Sequence, residues 1–281
     1  MLVPDNNPPY YNEVPDVLID NYVNRLFIDL IGREPLDSEM EIERTNLKNG
    51  GLSMEARGAL IDKLMTDTTW IEGDTSYMNA YYHRFYEISK VRLIEGASIS
   101  EIMEFVGPLE FSVHIDSINE DIYGMETAQA ELDKLYDLIH AEKDYMNGLI
   151  DINECCARMI DNAVYDQINM NTFNFVNASF DNLLWRYPTT VEFQIGYDMI
   201  EHNTSGVLFG QPGQNKEDYI NILTHSRAFY EGMIIWAYST LLAREPYDYE
   251  TEALMQDFYY TGNFQKVQKA IMITDEYAHF D

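Results

Sequence analysis

Cysteine is scarce in this sequence. Only two occur among 281 residues, and they are neighbours, Cys155 and Cys156. Adjacent cysteines seldom bridge each other because the short ring strains the disulfide geometry. A disulfide framework and a cysteine-rich zinc pattern are therefore excluded, and two buried structural thiols are predicted.

Basic residues are also scarce. Lysine and arginine number 18 against 48 aspartates and glutamates, which gives a formal net charge of −30. Such a surface repels the phosphate backbone of nucleic acids, so this partner class is excluded. It repels anionic membranes as well, whereas a basic protein partner or divalent cations in a salty exterior would fit the charge.

Long apolar runs are missing too. No stretch reaches the roughly 18 residues of a membrane span, so no transmembrane segment is predicted. No signal peptide is visible, so the chain is expected to be cytoplasmic, or a mature exported form. Residues 1–16, rich in proline and asparagine, predict an extended arm similar to the tether of a bacterial lipoprotein, although the lipid-bearing cysteine is missing.

What the sequence does contain is a pattern that occurs three times. It reads Phe/Tyr-x-x-Leu-(Leu/Ile)-x-Arg-x-Pro-x-(Asp/Thr)-x-Glu and spans Phe27–Glu39, Phe180–Glu192 and Tyr238–Glu250. The apolar residues before each arginine fall on one helical stripe. Recurrence inside one chain predicts repeated helical units.

The second half of the pattern predicts a corner between two helices. Because proline disfavours a helical conformation in the residue before it, each first helix is expected to end near Glu34, Tyr187 or Glu245. Good N-cap residues follow two positions after each proline, and they predict that the next helix is capped by Asp37, Thr190 or Asp248. Each arginine is expected to pair with the glutamate six residues on. The predicted corner residues are Arg33, Pro35, Glu39, Arg186, Pro188, Glu192, Arg244, Pro246 and Glu250.

The repeat divides the chain. Each unit is expected to hold about three helices, and the predicted segments are an arm at 1–16, repeat 1 at 17–73, a helical insert at 74–172, repeat 2 at 173–232 and repeat 3 at 233–281. Within the insert, Pro108 and the stretch Ser112–Asp121 are interpreted as a loop. No long strand pattern appears anywhere, so the predicted fold class is all-α.

The corner and the turn after it resemble a known repeat. The strings Leu30-Ile-Gly-Arg-Glu-Pro35 and Leu47-Lys-Asn-Gly-Gly-Leu-Ser53 are similar to the linker-type helical repeat of phycobilisome rod linkers. They are also similar to a domain of unknown function in bacterial surface proteins and to planctomycete domains that accompany cytochromes. The resemblance covers 17–73 and 173–281 and implies an assembly or scaffolding module. This chain departs in being acidic where rod linkers tend to be basic, and it lacks the Cys-x-x-Cys-His of a cytochrome.

Few residues suggest catalysis or metal binding. His83 and Glu87 lie four apart on a predicted helix, and Glu276 with His279 has the Glu-x-x-His spacing of carboxylate metal sites. Each pair fits an ordinary structural role better, so neither a metal nor a cofactor is predicted. The glycine-rich segment Gly206–Lys216 lacks the residue order of a phosphate-binding loop.

That segment is interpreted as a surface loop for partner contact, because it is the repeat's longest insertion. The residues expected to contact a partner protein are Tyr10, Tyr11, Phe209, Gln211 and Pro212.

Together these observations predict a non-catalytic helical scaffold or accessory subunit of a bacterial extracytoplasmic assembly, in the periplasm or at the outer cell surface. Its expected partners are proteins of a larger complex, including membrane-anchored ones. Two alternatives remain. The 21 tyrosines could form a glycan-binding surface, since tyrosine rings stack on sugars, and a carboxylate-bound metal would make the chain an enzyme.

Overall fold

The computed structural model describes residues 14–71 and 75–280 of the chain. Within them the protein is built from fifteen helices and a single two-stranded sheet. The elements are α1 (Asp16–Ile31), α2 (Asp37–Asn49), α3 (Met54–Thr66), α4 (Tyr77–Leu93), α5 (Ile99–Ile118), α6 (Ile122–Met146), α7 (Ile152–Ile160), α8 (Ala163–Asn169), α9 (Thr172–Leu184), α10 (Thr190–His202), β1 (Gly206–Leu208), β2 (Gln211–Gly213), α11 (Lys216–His225), α12 (Arg227–Leu242), α13 (Asp248–Thr261), α14 (Phe264–Met272) and α15 (Asp275–Ala278). The predicted all-α class is confirmed. Among the described helices, none combines the length and the apolar character that crossing a membrane requires.

The chain divides into two compact units. Unit 1 comprises the described parts of Met1–Phe85 together with Trp236–Glu250 and Asn263–Asp281, and unit 2 comprises Tyr86–Ile235 and Thr251–Gly262. Unit 1 thus joins segments that are far apart in the sequence. The five segments predicted from the repeat follow the chain in order, so they describe a different division, and their boundaries stay a prediction.

Aromatic packing builds much of the core of unit 1. The Trp236 indole stacks on Phe264 with ring centroids 5.8 Å apart and an interplanar angle of 9°, and Phe85 lies 5.7 Å from the same phenyl ring. The buried hydroxyl of Tyr22 donates to the carbonyl oxygen of Met272. This core therefore ties α1 and α4 to the C-terminal helices.

Unit 1 also buries a whole arginine. Arg57 in α3 is 0% exposed. Its Nε donates to the Leu52 carbonyl at 2.9 Å and its Nη2 to an Asp275 carboxylate oxygen at 2.8 Å. A buried charge is tolerated when it is paired and hydrogen-bonded, so this arginine fixes α3 against the start of α15.

Unit 2 is held together by close approaches between helices. A Cβ atom added at Gly232 would lie 2.3 Å from the Leu183 carbonyl oxygen, so α12 touches α9 where only glycine fits. At Gly196, an added Cβ would meet the Tyr219 ring at 2.7 Å. The hydroxyls of Tyr219 and Ser179 share a buried hydrogen bond of 2.7 Å. These contacts position α9, α10, α11 and α12 around one core.

Helices α5 and α6 form a long antiparallel hairpin in unit 2. The start of α5 is fixed by a capping box, in which the Ser98 amide donates to Glu101 at 2.7 Å and Ser98 Oγ accepts from the Glu101 amide. Near that end the seam is buried by Ile102 and Val106 of α5 and by Leu138 of α6. The hairpin is therefore firmly packed at its base.

The prediction of a loop at Pro108 and Ser112–Asp121 is wrong. Pro108 lies in the middle of α5, and α5 continues through Ser112 to Ile118, so the turn is confined to residues 119–121. Proline removes one backbone donor from the helix interior. The capping box and the packing on α6 hold α5 together across this gap, which a local turn signal cannot reveal.

The segment predicted as a glycine-rich loop is a β-hairpin. Strand β1 pairs with β2 in the antiparallel register Gly206↔Gly213 and Leu208↔Gln211. The two turn residues, Phe209 and Gly210, both have positive φ, as a type I′ turn requires. Strands of three residues are too short for an alternating pattern to show in the sequence.

The two cysteines behave as predicted. Cys155 and Cys156 are buried, free thiols in α7. Burial raises the pKa of the Cys155 thiol to about 12, so it stays protonated at neutral pH.

Candidate interaction surfaces

Each of the three repeated motifs forms a corner with the same backbone shape. The first helix ends three residues earlier than predicted, at Ile31, Leu184 and Leu242. It stops before the proline step because the next residue adopts positive φ, at 76° in Gly32, 56° in Trp185 and 53° in Ala243. A residue with left-handed backbone angles terminates the helix. The proline therefore follows a helix that has already ended.

The start of the second helix differs from the prediction by one position. Asp37, Thr190 and Asp248 are the first helical residues and not the caps. At the second corner the cap is Thr189, whose hydroxyl accepts from the Glu192 amide. The cap lies one residue earlier because the corner glutamate accepts a hydrogen bond from the main-chain amide three residues before it, as in a capping box.

At all three corners the arginine binds the glutamate six residues on, as the sequence predicts. The pairs are bidentate, with N–O distances of 2.8 and 2.9 Å for Arg33–Glu39, 2.9 and 2.6 Å for Arg186–Glu192, and 2.8 and 2.9 Å for Arg244–Glu250. The same glutamates accept the amides of Leu36, Thr189 and Tyr247 at 2.7 to 2.8 Å. Each carboxylate thus joins the end of one helix to the start of the next.

An aromatic ring lies beneath each corner arginine. The guanidinium carbon is 5.6 Å from the Phe27 ring centroid, 5.2 Å from Phe180 and 5.1 Å from Tyr238. Cations are attracted to the face of such a ring. The first aromatic residue of the motif and its arginine, six positions later, therefore form one stacked structure.

The charges of the corner glutamates are stabilised by these bonds. Burial alone would raise the pKa of Glu39, but hydrogen bonds from Arg33, Tyr77 and the Leu36 amide lower it to about 2. The bond from Arg186, with those from Thr189, lowers the pKa of Glu192 to about 2. Arg244 lowers the pKa of Glu250 in the same way. All three carboxylates are ionised at neutral pH.

The metal-ligand candidates lie in two separate places. Glu276 accepts two bonds of 2.7 Å from Arg244, and His279 Nε2 lies 3.0 Å from Arg25 Nη1. Glu87 pairs with Lys90 at 2.7 Å, and His83 is exposed on α4. Within the described residues, no three histidine, cysteine or acidic side chains converge as metal ligands. The carboxylates of both pairs serve in ion pairs with the chain's own cations.

The residues predicted to contact a partner differ in their surroundings. Tyr10 and Tyr11 lie outside the described residues. Phe209 is half-buried and packs on Phe180 with ring centroids 6.0 Å apart, whereas Gln211 and Pro212 are exposed on β2. The β-hairpin thus offers its second strand to solvent and uses its turn to cover the second corner.

One exposed apolar surface was not predicted from the sequence. No residue from Gly107 to Thr127 is buried, yet this end of the α5–α6 hairpin carries four exposed large apolar side chains: Phe111, Ile118, Ile122 and Tyr123. We call residues 107–127 the hairpin tip. A usable signal was present, because no lysine or arginine occurs between Arg92 and Lys134, but the loop interpretation hid it.

A second exposed feature lies beside the third corner. The rings of Tyr247 and Tyr249 stack 5.7 Å apart with an interplanar angle of 12°, and both side chains are exposed. The Arg244 guanidinium carbon is 4.9 Å from the Tyr247 ring centroid. Flat exposed rings of this kind can stack on a sugar.

A cleft in unit 2 between α6, α7 and α11 has a volume of about 250 Å³. Its two cations are engaged locally, Lys134 with Glu131 and Asp161 and Arg158 with Glu154 and Asp144. Since both cations are engaged by neighbouring carboxylates, the cleft is better explained as an ion-pair network between α6 and α7 than as a ligand site.

The fold is all-α, and its accessible features include the hairpin tip with four exposed large apolar side chains. Comparison with protein families, with curated proteins and with solved structures finds no match. The resemblance to linker-type repeats stays a prediction from the sequence.

Proposed function

We propose that this chain is a non-catalytic helical scaffold or accessory subunit of a bacterial extracytoplasmic protein assembly. The observation that carries the proposal is the hairpin tip, where Phe111 is 65% and Tyr123 82% exposed. Clusters of exposed large apolar side chains on a soluble protein commonly mark interaction sites.

The corners support the same proposal. Their arginines and glutamates bind each other and the backbone, so the charged residues of the repeated motif act in shaping the helices. A scaffold needs rigid angles between its elements, and bidentate pairs supply geometric precision. The acidic surface of net charge −30 suits a basic partner protein and a salty exterior.

The test is recovery of the native complex. The full chain would carry an affinity tag in its native host, and the envelope would be solubilised gently before purification. A stoichiometric complex of defined composition in the envelope fraction is expected. A monomer recovered alone at native abundance, with or without chemical cross-linking, would contradict the assembly role.

The stacked Tyr247–Tyr249 pair favours one alternative, a glycan-binding surface module. Oligosaccharide arrays probed with the wild-type chain and with Tyr249→Ala would decide it. Loss of binding to a specific glycan in the variant would support this function. Equal binding by both proteins, or none by either, would remove it.

A further inference from the structure

The exposed face of α5 carries a stripe of large apolar side chains, Met103, Phe111 and Ile118, interrupted by Gly107 and by the polar ring of His114. Met103, Gly107, Phe111, His114 and Ile118 recur at helical spacing, and at 3.6 residues per turn they fall within about 80° of one another. All five are exposed. The opposite face of the same helix is the one that packs in the hairpin, through Ile102 and Val106. Helix α5 is therefore apolar on two sides, and only one of them is covered.

Glycine gives this stripe a shape. Met103, Gly107 and Phe111 follow one another in steps of four, so they form one ridge of the helix surface. A Cβ atom added at Gly107 would have no neighbour within 4 Å apart from its two chain neighbours and the backbone of its own helix. The ridge therefore contains a notch between two large apolar side chains. Helices pack by setting the side chains of one into such gaps in the other.

Acidic residues border the stripe. Glu104 and Glu110 lie on its two sides, and both are exposed. Between Arg92 and Lys134 the sequence contains ten aspartates and glutamates and no lysine or arginine. A second copy of this chain would bring the same charges together, which is unfavourable. Anionic lipid is repelled for the same reason.

We propose that the stripe on α5 binds one amphipathic helix of a partner protein, with large apolar side chains along its centre and lysines or arginines on both flanks. The apolar side chains would fill the Gly107 notch and cover Phe111 and Ile118, while the cations would face Glu104 and Glu110. This is helix recognition through an apolar face. The inference rests on the proposed scaffold function, because it names the partner of that surface.

The dimensions set the partner's length. From Met103 to Ile118 the stripe runs fifteen residues, or about 22 Å at 1.5 Å per residue. A partner helix of about four turns covers it. Ile122 and Tyr123, at the start of α6, extend the apolar surface beyond the end of α5 and would contact the end of that helix.

The probe is a synthetic 18-residue peptide that, as a helix, carries a central stripe of leucines with lysines on both flanks of the stripe. A peptide of the same composition with scrambled order separates amphipathic binding from simple charge attraction. Affinity for the full chain is measured by fluorescence anisotropy at physiological salt. The amphipathic peptide is expected to bind more tightly than the scrambled one.

The decisive variant is Phe111→Ser/Ile118→Ser. Removing two anchor side chains from the centre of an interface is expected to weaken binding of the amphipathic peptide by at least about tenfold. The matched control is Phe173→Ser, another exposed phenylalanine of unit 2, which should bind like the wild type. Circular dichroism melts would show that all three proteins are folded. Equal affinity of the double variant and the wild type would overturn the proposal.

Two further experiments test the acidic residues beside the stripe and the alternative that a lipid surface binds it. Glu104→Gln/Glu110→Gln should reduce the salt dependence of peptide binding, because two of the facing charges are gone. Uncharged phosphatidylcholine vesicles should not bind the chain. Vesicle binding that depends on Phe111 and Ile118 would overturn the peptide proposal in favour of a lipid surface, and an unchanged salt slope would overturn the role of the two glutamates.

The native complex separates this inference from the function on which it rests. If the tagged double variant recovers the same stoichiometric complex as the wild type, the scaffold role stands and the stripe is the wrong surface. If the wild-type chain recovers no complex, the scaffold role itself fails. Loss of the complex in the double variant alone, with Phe173→Ser unaffected, supports both.

Discussion

The three corners and the hairpin tip place similar residues in opposite situations. At the corners, a phenylalanine or tyrosine is buried beneath an arginine, and the glutamate binds both that arginine and a backbone amide. At the tip, phenylalanine and isoleucine face solvent, in a stretch with acidic residues and no basic ones. The corners are complete within the chain, whereas the tip leaves apolar surface uncovered.

This difference predicts two kinds of mutational effect. Exposed apolar surface adds nothing to the folded state when the unfolded chain exposes the same side chains. Exposed apolar side chains that do not stabilise the folded chain are expected where they stabilise a complex with a partner. Mutations at the two regions should therefore differ in kind, with corners changing folding and the tip changing association.

The largest contrast is expected from the same substitution in both regions. Phe180→Ala removes a side chain that is 0% exposed, and it should destabilise the protein by about 3 to 5 kcal/mol through lost burial and a cavity. Phe111→Ala at the tip should change the free energy of unfolding by less than about 0.5 kcal/mol. Urea denaturation followed by circular dichroism measures both.

The two variants control for each other because the chemical change is identical. Equal destabilisation would mean that the tip is part of the cooperative core and that its exposure has no functional meaning. A stable Phe111→Ala protein that no longer enters the native complex would sharpen the comparison further.

The next largest effect is expected at the third corner. Arg244 binds Glu250 and also Glu276, so Arg244→Ala leaves two carboxylates without their cation and should cost about 2 to 3 kcal/mol. The corresponding changes Arg33→Ala and Arg186→Ala should cost about 1 to 3 kcal/mol, since each removes the bidentate partner of its corner glutamate. The measurement is again the free energy of unfolding.

Arg227→Ala is the control for these variants. Arg227 pairs with Glu231 four residues on, but its side chain is 67% exposed, and exposed pairs of this kind contribute less than about 1 kcal/mol. If a corner variant keeps full stability and loses its partner, then that corner is a binding site and the assignment of roles is reversed.

Acid should affect the corners before the tip. The folded-state pKa values of Glu39 and Glu192 are lowered from 4.5 to about 2. Their contribution to stability is therefore complete above pH 4.5 and is lost as the pH falls from there towards 2. Glu39→Gln should destabilise the protein at pH 7 and converge with the wild type towards pH 2.

The comparison is made as a difference between variant and wild type, because acid also relieves repulsion across the whole acidic surface. Glu104→Gln, on the exposed face of the hairpin, serves as the control variant and should keep the stability of the wild type at pH 7 to within about 0.5 kcal/mol. A Glu39→Gln profile parallel to the wild type at every pH would contradict the role assigned to the corner carboxylate.

The corners were accessible to sequence reasoning because their signals are local. Spacing alone predicted that Arg186 would meet Glu192, since both residues are fixed by one tight turn. The cap was misplaced to Thr190 because the prediction ignored that a glutamate can reach back to a main-chain amide. Local patterns thus gave the interactions correctly and the boundaries to within a few residues.

The hairpin tip was not accessible in the same way. Pro108 signals a break in most contexts, and only the packing of α5 on α6 keeps the helix continuous across it. Which face of α5 is covered depends on residues such as Leu138 in another helix, so exposure of Phe111 could not be read from the sequence. The domain division is non-local for the same reason, since unit 1 combines distant segments.

The smallest predicted effects come from replacing the residue with positive φ that ends the first helix of a corner. They are expected to differ between the second and third corners. Ala243 has a φ of 53°, which costs an L-residue about 1 to 2 kcal/mol. Glycine at this position avoids the strain. It also loses more backbone conformational entropy on folding than alanine does, which costs about 0.5 to 1 kcal/mol. Ala243→Gly should therefore stabilise the protein slightly, by up to about 1 kcal/mol.

Trp185, at the equivalent position of the second corner, should respond with the opposite sign. Its φ of 56° carries the same strain, but its indole lies beneath the Arg92 guanidinium carbon at 3.9 Å. That cation–π contact and the packing around it are worth about 1 to 2 kcal/mol, so Trp185→Gly should destabilise the protein. Thermal and urea unfolding of both variants measure the difference in sign. If Trp185→Gly is the more stable protein, backbone strain outweighs the stacking at this corner.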